Sequence, residues 1–172
     1  MSPKIYTIGH STRPINSFIQ ILILNRIQCV VDVRSYPRST VVPQFNEENL
    51  KKSLKKYHIK YIRIPELGGR RHFPNHNHPS IKIATFSSYA EYMMTESFMT
   101  GLKELKCIAK KYRTAIMCAE ALWWRCHRRM IADRLIYDGW EVYHLGITKE
   151  KIRHSVWNIS RLDKLNQIIY DK

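Results

Sequence analysis

Acidic residues are scarce in this chain, which has 14 Asp and Glu against 29 Lys and Arg in 172 residues and a formal net charge of +15. Such a deficit favours polyanionic partners such as nucleic acid, nucleotides or anionic surfaces. The lysine-rich helix faces have a second interpretation, because charged faces also keep a protein soluble. The charge therefore limits the class of partner but identifies no ligand.

Long apolar runs are missing as well, and so are internal repeats and low-complexity linkers. A transmembrane helix needs roughly 20 consecutive apolar residues, so we expect no membrane-spanning segment. The N-terminus has no signal-peptide pattern, which predicts a cytoplasmic protein. The hydrophobic fraction of 44% argues against disorder, and the length suits a single domain over residues 1–172.

Cysteine is rare too: the chain has only four, and their spacing does not suggest the paired framework of a small secreted protein. Cys29 and Cys107 lie in apolar or helical contexts, where a buried free thiol is the usual role. Cys118 and Cys126 differ, because segment 114–129 also holds a carboxylate, an imidazole and several guanidinium groups. This segment is the first candidate for a functional site.

Short apolar stretches alternate with amphipathic stretches along the chain. The strand-like stretches cover residues 4–8, 29–33, 59–64, 114–117 and 140–145. Helical spacing covers residues 15–23, 46–57, 86–111 with a break near Thr95, 128–137, and a C-terminal stretch of about 157–170. This alternation predicts an α/β, Rossmann-like fold with a mostly parallel five-stranded sheet, strand order 3-2-1-4-5, and helices on both faces.

Polar and charged residues follow three of the predicted strands. In a doubly wound parallel sheet, ligands bind beyond the carboxyl ends of the strands, where the strand order reverses. The predicted order places that point between the first and fourth strands. We expect the following side chains to meet there: His10, Ser11, Asp32, Arg34, Cys118 and Glu120.

Several short motifs along the chain are similar to those of a known family. They are Ile8-Gly-His-Ser11, Val30-Val-Asp-Val-Arg34 with Pro37 and Ser39, Leu67-Gly-Gly69, and Met117-Cys-Ala-Glu120 followed by Cys126-His-Arg128. Their order and spacing resemble the domain-of-unknown-function 488 family of bacterial and archaeal cytoplasmic proteins over about residues 5–145. The resemblance implies an α/β domain with polar residues gathered on one rim, and it implies no particular reaction.

Cys118 has the clearest chemical interpretation. It is expected to follow a buried strand and to precede a turn into a helix, where backbone N–H groups and the helix dipole lower a thiol pKa and favour anions. We interpret it as a nucleophile or redox thiol, with a buried structural thiol as the alternative. A phosphatase or sulfurtransferase anion loop fits less well, because six residues separate Cys118 from Arg125 and two of them are Trp.

The other catalytic assignments concern two carboxylates and a histidine. Glu120 suits a general acid or base, since a partly dry rim raises a carboxyl pKa towards neutrality. An ion pair with a neighbouring arginine is its alternative. Asp32 either orients His10 or holds a substrate hydroxyl, or it forms an internal salt bridge with Arg34. We therefore assign catalysis to Cys118, Glu120, His10 and Asp32.

Substrate binding is assigned to side chains that suit an anion. Arg34, Arg38 and Arg128 offer guanidinium groups to a phosphate or carboxylate. Ser11 either contacts substrate or caps the first helix, and His127 lies beside the arginines at the start of a predicted helix.

Cys126 has three interpretations: a substrate contact, a resolving thiol for Cys118, or a zinc ligand. A zinc site would need Cys118, His127 and His10 to converge with it in space, which their spacing does not show. No metal is therefore assigned, and no motif specifies a cofactor. The loop that carries His72, His76 and His78 is interpreted as a polar surface loop rather than a metal site, and Trp123 and Trp124 as core residues or stacking platforms.

Two functions are compatible with these features. In the first, the chain is an enzyme whose rim pocket acts on a nucleotide, a nucleic-acid base or another anionic substrate. In the second, it is a non-catalytic module whose basic rim and lysine faces bind nucleic acid. The enzyme is favoured because nucleophile, acid or base, and anion-binding groups are predicted to share one edge of the sheet.

Overall fold

The computed structural model describes every residue from Met1 to Lys172. The strands are β1 (Lys4–Gly9), β2 (Cys29–Asp32), β3 (Lys60–Arg63), β4 (Thr114–Cys118), β5 (Glu141–Leu145), β6 (Ile152–Arg153), β7 (Ser160–Leu162) and β8 (Ile168–Tyr170). The helices are α1 (Ile15–Leu24), α2 (Glu47–Lys55), α3 (Ala84–Tyr92), α4 (Glu96–Lys111) and α5 (Arg128–Tyr137). No helix has the length and apolar character needed to cross a bilayer.

Six strands form the central sheet in the order β3-β2-β4-β1-β5-β6. The first five are parallel, and β6 pairs antiparallel with β5. The α/β class and the mostly parallel sheet are confirmed. The predicted order 3-2-1-4-5 is wrong, because β4 lies between β2 and β1, and β6 adds a sixth strand. All of β4 and all of β1 except Lys4 are buried. Burial is therefore compatible with either strand at the centre of the sheet and does not specify the strand order.

Helices cover both faces of the sheet, as expected. α1 and α2 pack on one face around a core of 14 buried residues that includes Phe18 and Leu50. The other three helices cover the opposite face around a core of 25 buried residues. The predicted break near Thr95 separates α3 from α4, because the Thr95 hydroxyl accepts a hydrogen bond from the backbone N–H of Phe98 at 3.3 Å.

The predicted C-terminal helix over about 157–170 is wrong, because this segment forms the antiparallel hairpin β7–β8. Asn166 turns the chain with a φ of 61°, in the left-handed region that Asn tolerates better than most residues. The Asp163 carboxylate accepts hydrogen bonds from the backbone N–H groups of Leu165 and Gln167, both at 2.8 Å. This turn chemistry ends any helix, and the following Ile168–Tyr170 is wholly buried.

Candidate functional site

The carboxyl ends of β1 and β4 meet at a very close approach. Gly9 pairs with Cys118 in the sheet register, and the pairing continues as the N–H groups of His10 and Ser11 donate to the carbonyls of Cys118 and Ala119, both at 2.9 Å. A Cβ on Gly9 would lie 1.8 Å from the carbonyl oxygen of Glu120. Only glycine allows the two strand ends to approach this closely, and the approach places His10 beside the Cys118 segment.

Asp32 and Arg34 form an internal salt bridge at the end of β2. The Nη2 of Arg34 lies 2.7 Å from Oδ2 of Asp32, and its Nε donates to Oδ1 at 2.9 Å. The hydroxyl of Tyr61 donates to the same Oδ2 at 2.5 Å; burial, followed by the Asp32 charge, raises the pKa of Tyr61. Asp32 therefore braces Arg34, and Tyr61 is a partner that the sequence analysis missed.

His10 is held between the guanidinium of Arg34 and the ring of Phe45. Its Nδ1 lies 2.8 Å from the carbonyl oxygen of Ser11, and its Nε2 lies 3.2 Å from Nη1 of Arg34. The carbonyl fixes the proton on Nδ1, so Nε2 accepts from the arginine. Burial lowers the pKa of His10 to about 4, and the ring stacks on Phe45 at 4.3 Å between centroids. A neutral His10 thus orients Arg34 and has no free nitrogen for a substrate.

Cys118 and Cys126 are the closest reactive pair in the molecule. Their Sγ atoms lie 2.8 Å apart, which is nearer than ordinary contact but longer than a disulfide bond of about 2.05 Å. The backbone N–H of Arg128 donates to Sγ of Cys126 at 3.4 Å, and Nδ1 of His127 lies 3.4 Å from the same sulfur. The Nε2 of His127 lies 3.0 Å from the carbonyl oxygen of Val33, which fixes the orientation of the ring.

The surroundings of the two thiols push their pKa values apart. Burial, followed by the hydrogen bond to Cys126, raises the pKa of Cys118. Burial opposes ionisation of Cys126 as well, but the hydrogen bond from Cys118 and the charges of His127 and Arg128 outweigh it and lower its pKa well below the usual value. The pair therefore favours a Cys126 thiolate that accepts a hydrogen bond from the Cys118 thiol.

Arg128 is a buried cation without a carboxylate partner. Its side chain is 1% exposed, and its Nη2 donates to the carbonyl oxygens of Glu120 at 2.5 Å and Ala121 at 3.4 Å. Its Nη1 donates to the hydroxyl of Thr7 at 3.1 Å. The guanidinium thus ties the turn after β4 to β1, and its charge lies close enough to both cysteine sulfurs to favour a thiolate.

Glu120 is exposed and forms no ion pair with an arginine. Its carboxylate accepts a hydrogen bond from the backbone N–H of Leu122 at 3.0 Å. Glu120 lines the cavity beside the cysteine pair, together with Cys118 and Cys126.

A cavity of about 470 Å³ opens at this edge of the sheet. It brings together five of the predicted site residues: Arg34, Cys118, Glu120, Cys126 and His127. The remaining lining residues are not among the predicted site residues; they are Ser35, Tyr36, Gly69, Arg70, Thr85, Phe86, Ala119 and Arg125. Three arginines and two cysteines thus share one concave surface with two aromatic rings.

The other predicted site residues lie outside this lining. His10, Asp32 and Arg128 are buried behind it. Ser11 is half-buried with a φ of 49° and does not cap α1, whose N-cap is Pro14 without a side-chain hydrogen bond. Arg38 is exposed on the loop after β2.

Gly69 of the Leu-Gly-Gly motif packs against His127, and this contact leaves no room for a side chain. A Cβ on Gly69 would lie 2.5 Å from Nδ1 of His127. The glycine therefore lets the loop pack directly on the imidazole that contacts Cys126. The next residue, Arg70, places its guanidinium over the ring of Tyr36 at 5.0 Å, and the Tyr36 side chain is 68% exposed.

The zinc and metal-loop interpretations find no geometric support. His10 is occupied by Arg34 and Ser11 rather than by the cysteines, and no group of three or more His, Cys, Asp or Glu is arranged to hold a metal ion. His72 and His76 are exposed, whereas Nδ1 of His78 accepts a hydrogen bond from the backbone N–H of Tyr170 at 3.3 Å.

The protein is an α/β protein with a mostly parallel sheet. Its candidate site is a cavity at the carboxyl edge of this sheet, lined by two cysteines and three arginines. The model of the family described as domain of unknown function DUF488 matches residues 14–135. Since this is most of the chain, the protein belongs to that family, and the resemblance drawn from the motifs is confirmed. No curated protein and no solved structure matches the chain.

Proposed function

We propose that the protein is a thiol-dependent enzyme that acts on an anionic substrate such as a nucleotide or a nucleic-acid base. The observation that carries the proposal is the pair of sulfur atoms 2.8 Å apart on the wall of a cavity that is also lined by Arg34, Arg70 and Arg125. An anion drawn to these guanidinium groups comes to lie beside the thiols.

The two thiols take different roles in this proposal. Cys126 is the nucleophile, because its thiolate is favoured by Cys118, His127 and Arg128. Cys118 supplies the hydrogen bond and acts as the resolving thiol. The sequence favours the reverse assignment, because the spacing of Cys118 and Cys126 does not show that their sulfur atoms lie side by side.

The remaining groups suit recognition and proton transfer. Glu120 stands at the cavity wall and is the candidate acid or base. Tyr36 and Phe86 provide aromatic surface on which a planar ring stacks, while the arginines hold its charged substituent. The substrate class favoured by this arrangement is a planar heterocycle that carries a phosphate or carboxylate.

Alkylation kinetics test the thiolate without knowledge of the substrate. We expect iodoacetamide to modify Cys126 with an apparent pKa clearly below the ordinary thiol value of about 8.5. Mass spectrometry of peptides identifies the modified residue. A Cys107→Ser variant is the matched control, because Cys107 is exposed on α4 and does not line the cavity, so its loss leaves the Cys126 profile unchanged.

A ligand screen then tests the substrate class. Thermal shift against nucleoside monophosphates, free bases and inorganic phosphate should identify ligands that raise the melting temperature, because a ligand that binds only the native state stabilises it. Arg125→Gln should reduce the shift, and Cys126→Ser should abolish turnover of a ligand found in this way while retaining its binding. An alkylation profile with an ordinary thiol pKa at Cys126, or turnover by Cys126→Ser, contradicts the proposal.

A second candidate function is nucleic-acid binding at a separate basic cleft. This cleft has a volume of about 530 Å³ and lies on α2 and the edge strand β3; it is lined by Lys51, Lys52, Lys55, His58, Ile59, Lys60 and Tyr61. It contains no acidic residue. Arg34 and Arg128 are unsuitable for a charge-reversal test of such binding, because both are buried and reversal would disrupt the fold.

Fluorescence anisotropy with a single-stranded oligonucleotide separates the two candidates. If four lysines each neutralise a phosphate, the logarithm of the affinity should fall with the logarithm of the salt concentration with a slope of about −3. Lys52→Glu with Lys55→Glu should abolish the binding, whereas Cys126→Ser leaves it unchanged. Binding that does not depend on salt rejects this function.

A further inference from the structure

A buried row of hydrogen bonds runs from Arg128 through the interior to the C-terminal hairpin. The Thr7 hydroxyl, which accepts from Arg128, lies 2.7 Å from Nδ1 of His144. The Nε2 of His144 lies 2.9 Å from Nδ1 of His154, and Nε2 of His154 lies 2.8 Å from Oδ1 of Asp133. We call these four residues the relay: Thr7, His144, His154 and Asp133.

The two ends of the relay fix the direction of every hydrogen bond in it. Arg128 only donates, so the Thr7 oxygen accepts from it and uses its own proton towards His144. Asp133 as a carboxylate only accepts, so Nε2 of His154 carries a proton. In this arrangement each imidazole accepts through Nδ1 and donates through Nε2. Burial lowers the pKa of His144 to about 2, which keeps its imidazole neutral.

The relay is closed off from water over its whole length. Thr7, His144 and Asp133 have no exposed surface, and His154 is 3% exposed. The ring of Trp123 stacks on His144 with centroids 4.3 Å apart and planes 6° apart. Asp133 is further fixed by the hydroxyl of Tyr170 at 2.9 Å and the backbone N–H of Trp157 at 3.0 Å.

Burying the polar groups of the relay costs free energy that packing alone would not require. A hydroxyl, two imidazoles and a carboxylate must all be dehydrated, and apolar residues of similar size would fill the same space without that penalty. The relay also gives the buried Arg128 a hydrogen-bond acceptor, because its Nη1 donates to the Thr7 hydroxyl. The negative charge that favours the guanidinium comes from the cysteine pair.

We infer that the relay positions the Arg128 guanidinium beside Cys118 and Cys126, with Asp133 as its fixed anchor. The inference rests on the proposed role of Cys126 as a thiolate. Its members are positioning residues, since none of them lines the cavity. The inference assigns a role in the site to His144, His154 and the hairpin, all of which lie outside the residues that match the family.

Thr7→Val and Asp133→Asn test the relay from its two ends. Valine has the shape of threonine and suits a buried strand but removes the hydroxyl that links Arg128 to His144. We expect both variants to raise the apparent pKa of Cys126 by about one unit, which lowers its alkylation rate roughly tenfold below that pKa. Thr7→Ser restores the hydroxyl and should retain the wild-type profile.

The pH profile must be attributed to Arg128 rather than to other groups near Cys126. The titratable and charged groups that face this thiol are Cys118 on β4, Tyr89 on α3, His127 and Arg128 at the start of α5, and Arg34, Arg70, Glu120 and Arg125 around the cavity. None of these is substituted in the variants. A change in the profile therefore reports the position of Arg128.

Tyr137→Phe is the matched control for a loss of stability. The Tyr137 hydroxyl bonds to that of Ser160 in the hairpin at 2.9 Å and forms no hydrogen bond with a residue of the relay. This variant should be destabilised yet keep the wild-type alkylation profile. Folded Thr7→Val and Asp133→Asn proteins with wild-type profiles would overturn the relay alone. An ordinary thiol pKa for Cys126 in the wild type would overturn the relay together with the proposed function.

Discussion

The two sulfur atoms near the carboxyl edge of the sheet are close enough to bond after a small movement. Cys126 carries the more acidic thiol and Cys118 the less acidic one. This asymmetry suits a reaction in which one thiol meets an oxidant and the other resolves the product. Neither Cys29, which is buried in the core, nor Cys107, which is exposed on α4, has a cysteine partner.

We predict that hydrogen peroxide converts the pair to a disulfide. The Cys126 thiolate attacks one peroxide oxygen, the other leaves as hydroxide, and sulfur is oxidised to the sulfenic acid. The Cys118 thiol then attacks that sulfur, the S–S bond forms and water leaves. Intact mass should fall by two hydrogens, and peptide mapping should find residues 118 and 126 joined.

Two variants identify the order of these steps. Cys118→Ser should stop the reaction at a sulfenic acid on Cys126 that dimedone traps. A double variant, Cys29→Ser with Cys107→Ser, retains the pair and should form the disulfide as the wild type does. Oxidation of Cys126 to the sulfinic acid in the wild type, without a disulfide, would show that Cys118 is not its resolving thiol.

At the level of single residues, the sequence predicts which side chains meet at the carboxyl edge of the sheet but not their contacts there. Charged residues that follow buried strands must emerge at one edge of a parallel sheet, which is why Arg34, Cys118 and Glu120 could be grouped. The spacing does not specify rotamers. It could not show that Arg128 turns into the interior, or that Arg70 and Phe86 from distant parts of the chain line the same cavity as Arg34.

The strands and helices were predictable where local pattern decides them. The break at Thr95 follows from capping chemistry, and the buried strands follow from continuous apolar runs. The strand order was not predictable, because β1 and β4 are equally apolar and their pairing depends on contacts far apart in sequence. The close approach at Gly9 shows which strands meet, but only once Glu120 is known to lie against it.

The C-terminal segment shows how a short amphipathic pattern misleads. Its apolar residues fit a helical face, yet Leu165, which the helix would bury, is 79% exposed at the tip of the hairpin. Asp163 and Asn166 are residues that favour a turn, but the helical spacing of the apolar residues led to the prediction of a helix. The hairpin that results supplies Tyr170, which holds Asp133.

The interior of the whole molecule holds three histidines that burial keeps uncharged. Burial is the largest cause of the lowered pKa in each: His10 falls to about 4, His144 to about 2, and His78 falls as well. In the unfolded chain the same side chains titrate near the ordinary value of about 6.5. Below that pH the unfolded state therefore binds more protons than the folded state.

The free energy of unfolding should consequently fall as the pH drops below about 6.5, by about 1.4 kcal/mol per pH unit for each of His10 and His144, and His78 adds to the fall. The sign follows from the proton count: protons bind mainly to the unfolded state between the folded and unfolded pKa values, so acid favours unfolding, and this contribution to stability is complete above about pH 6.5. Urea unfolding between pH 7.5 and pH 5 measures the slope. His78→Gln, which lies away from the cavity, should reduce the slope, because burial lowers the pKa of His78. A free energy of unfolding that stays constant over this range would show that the buried imidazoles bind protons as readily in the folded as in the unfolded protein. The lowered pKa values of His10 and His144 would then be wrong.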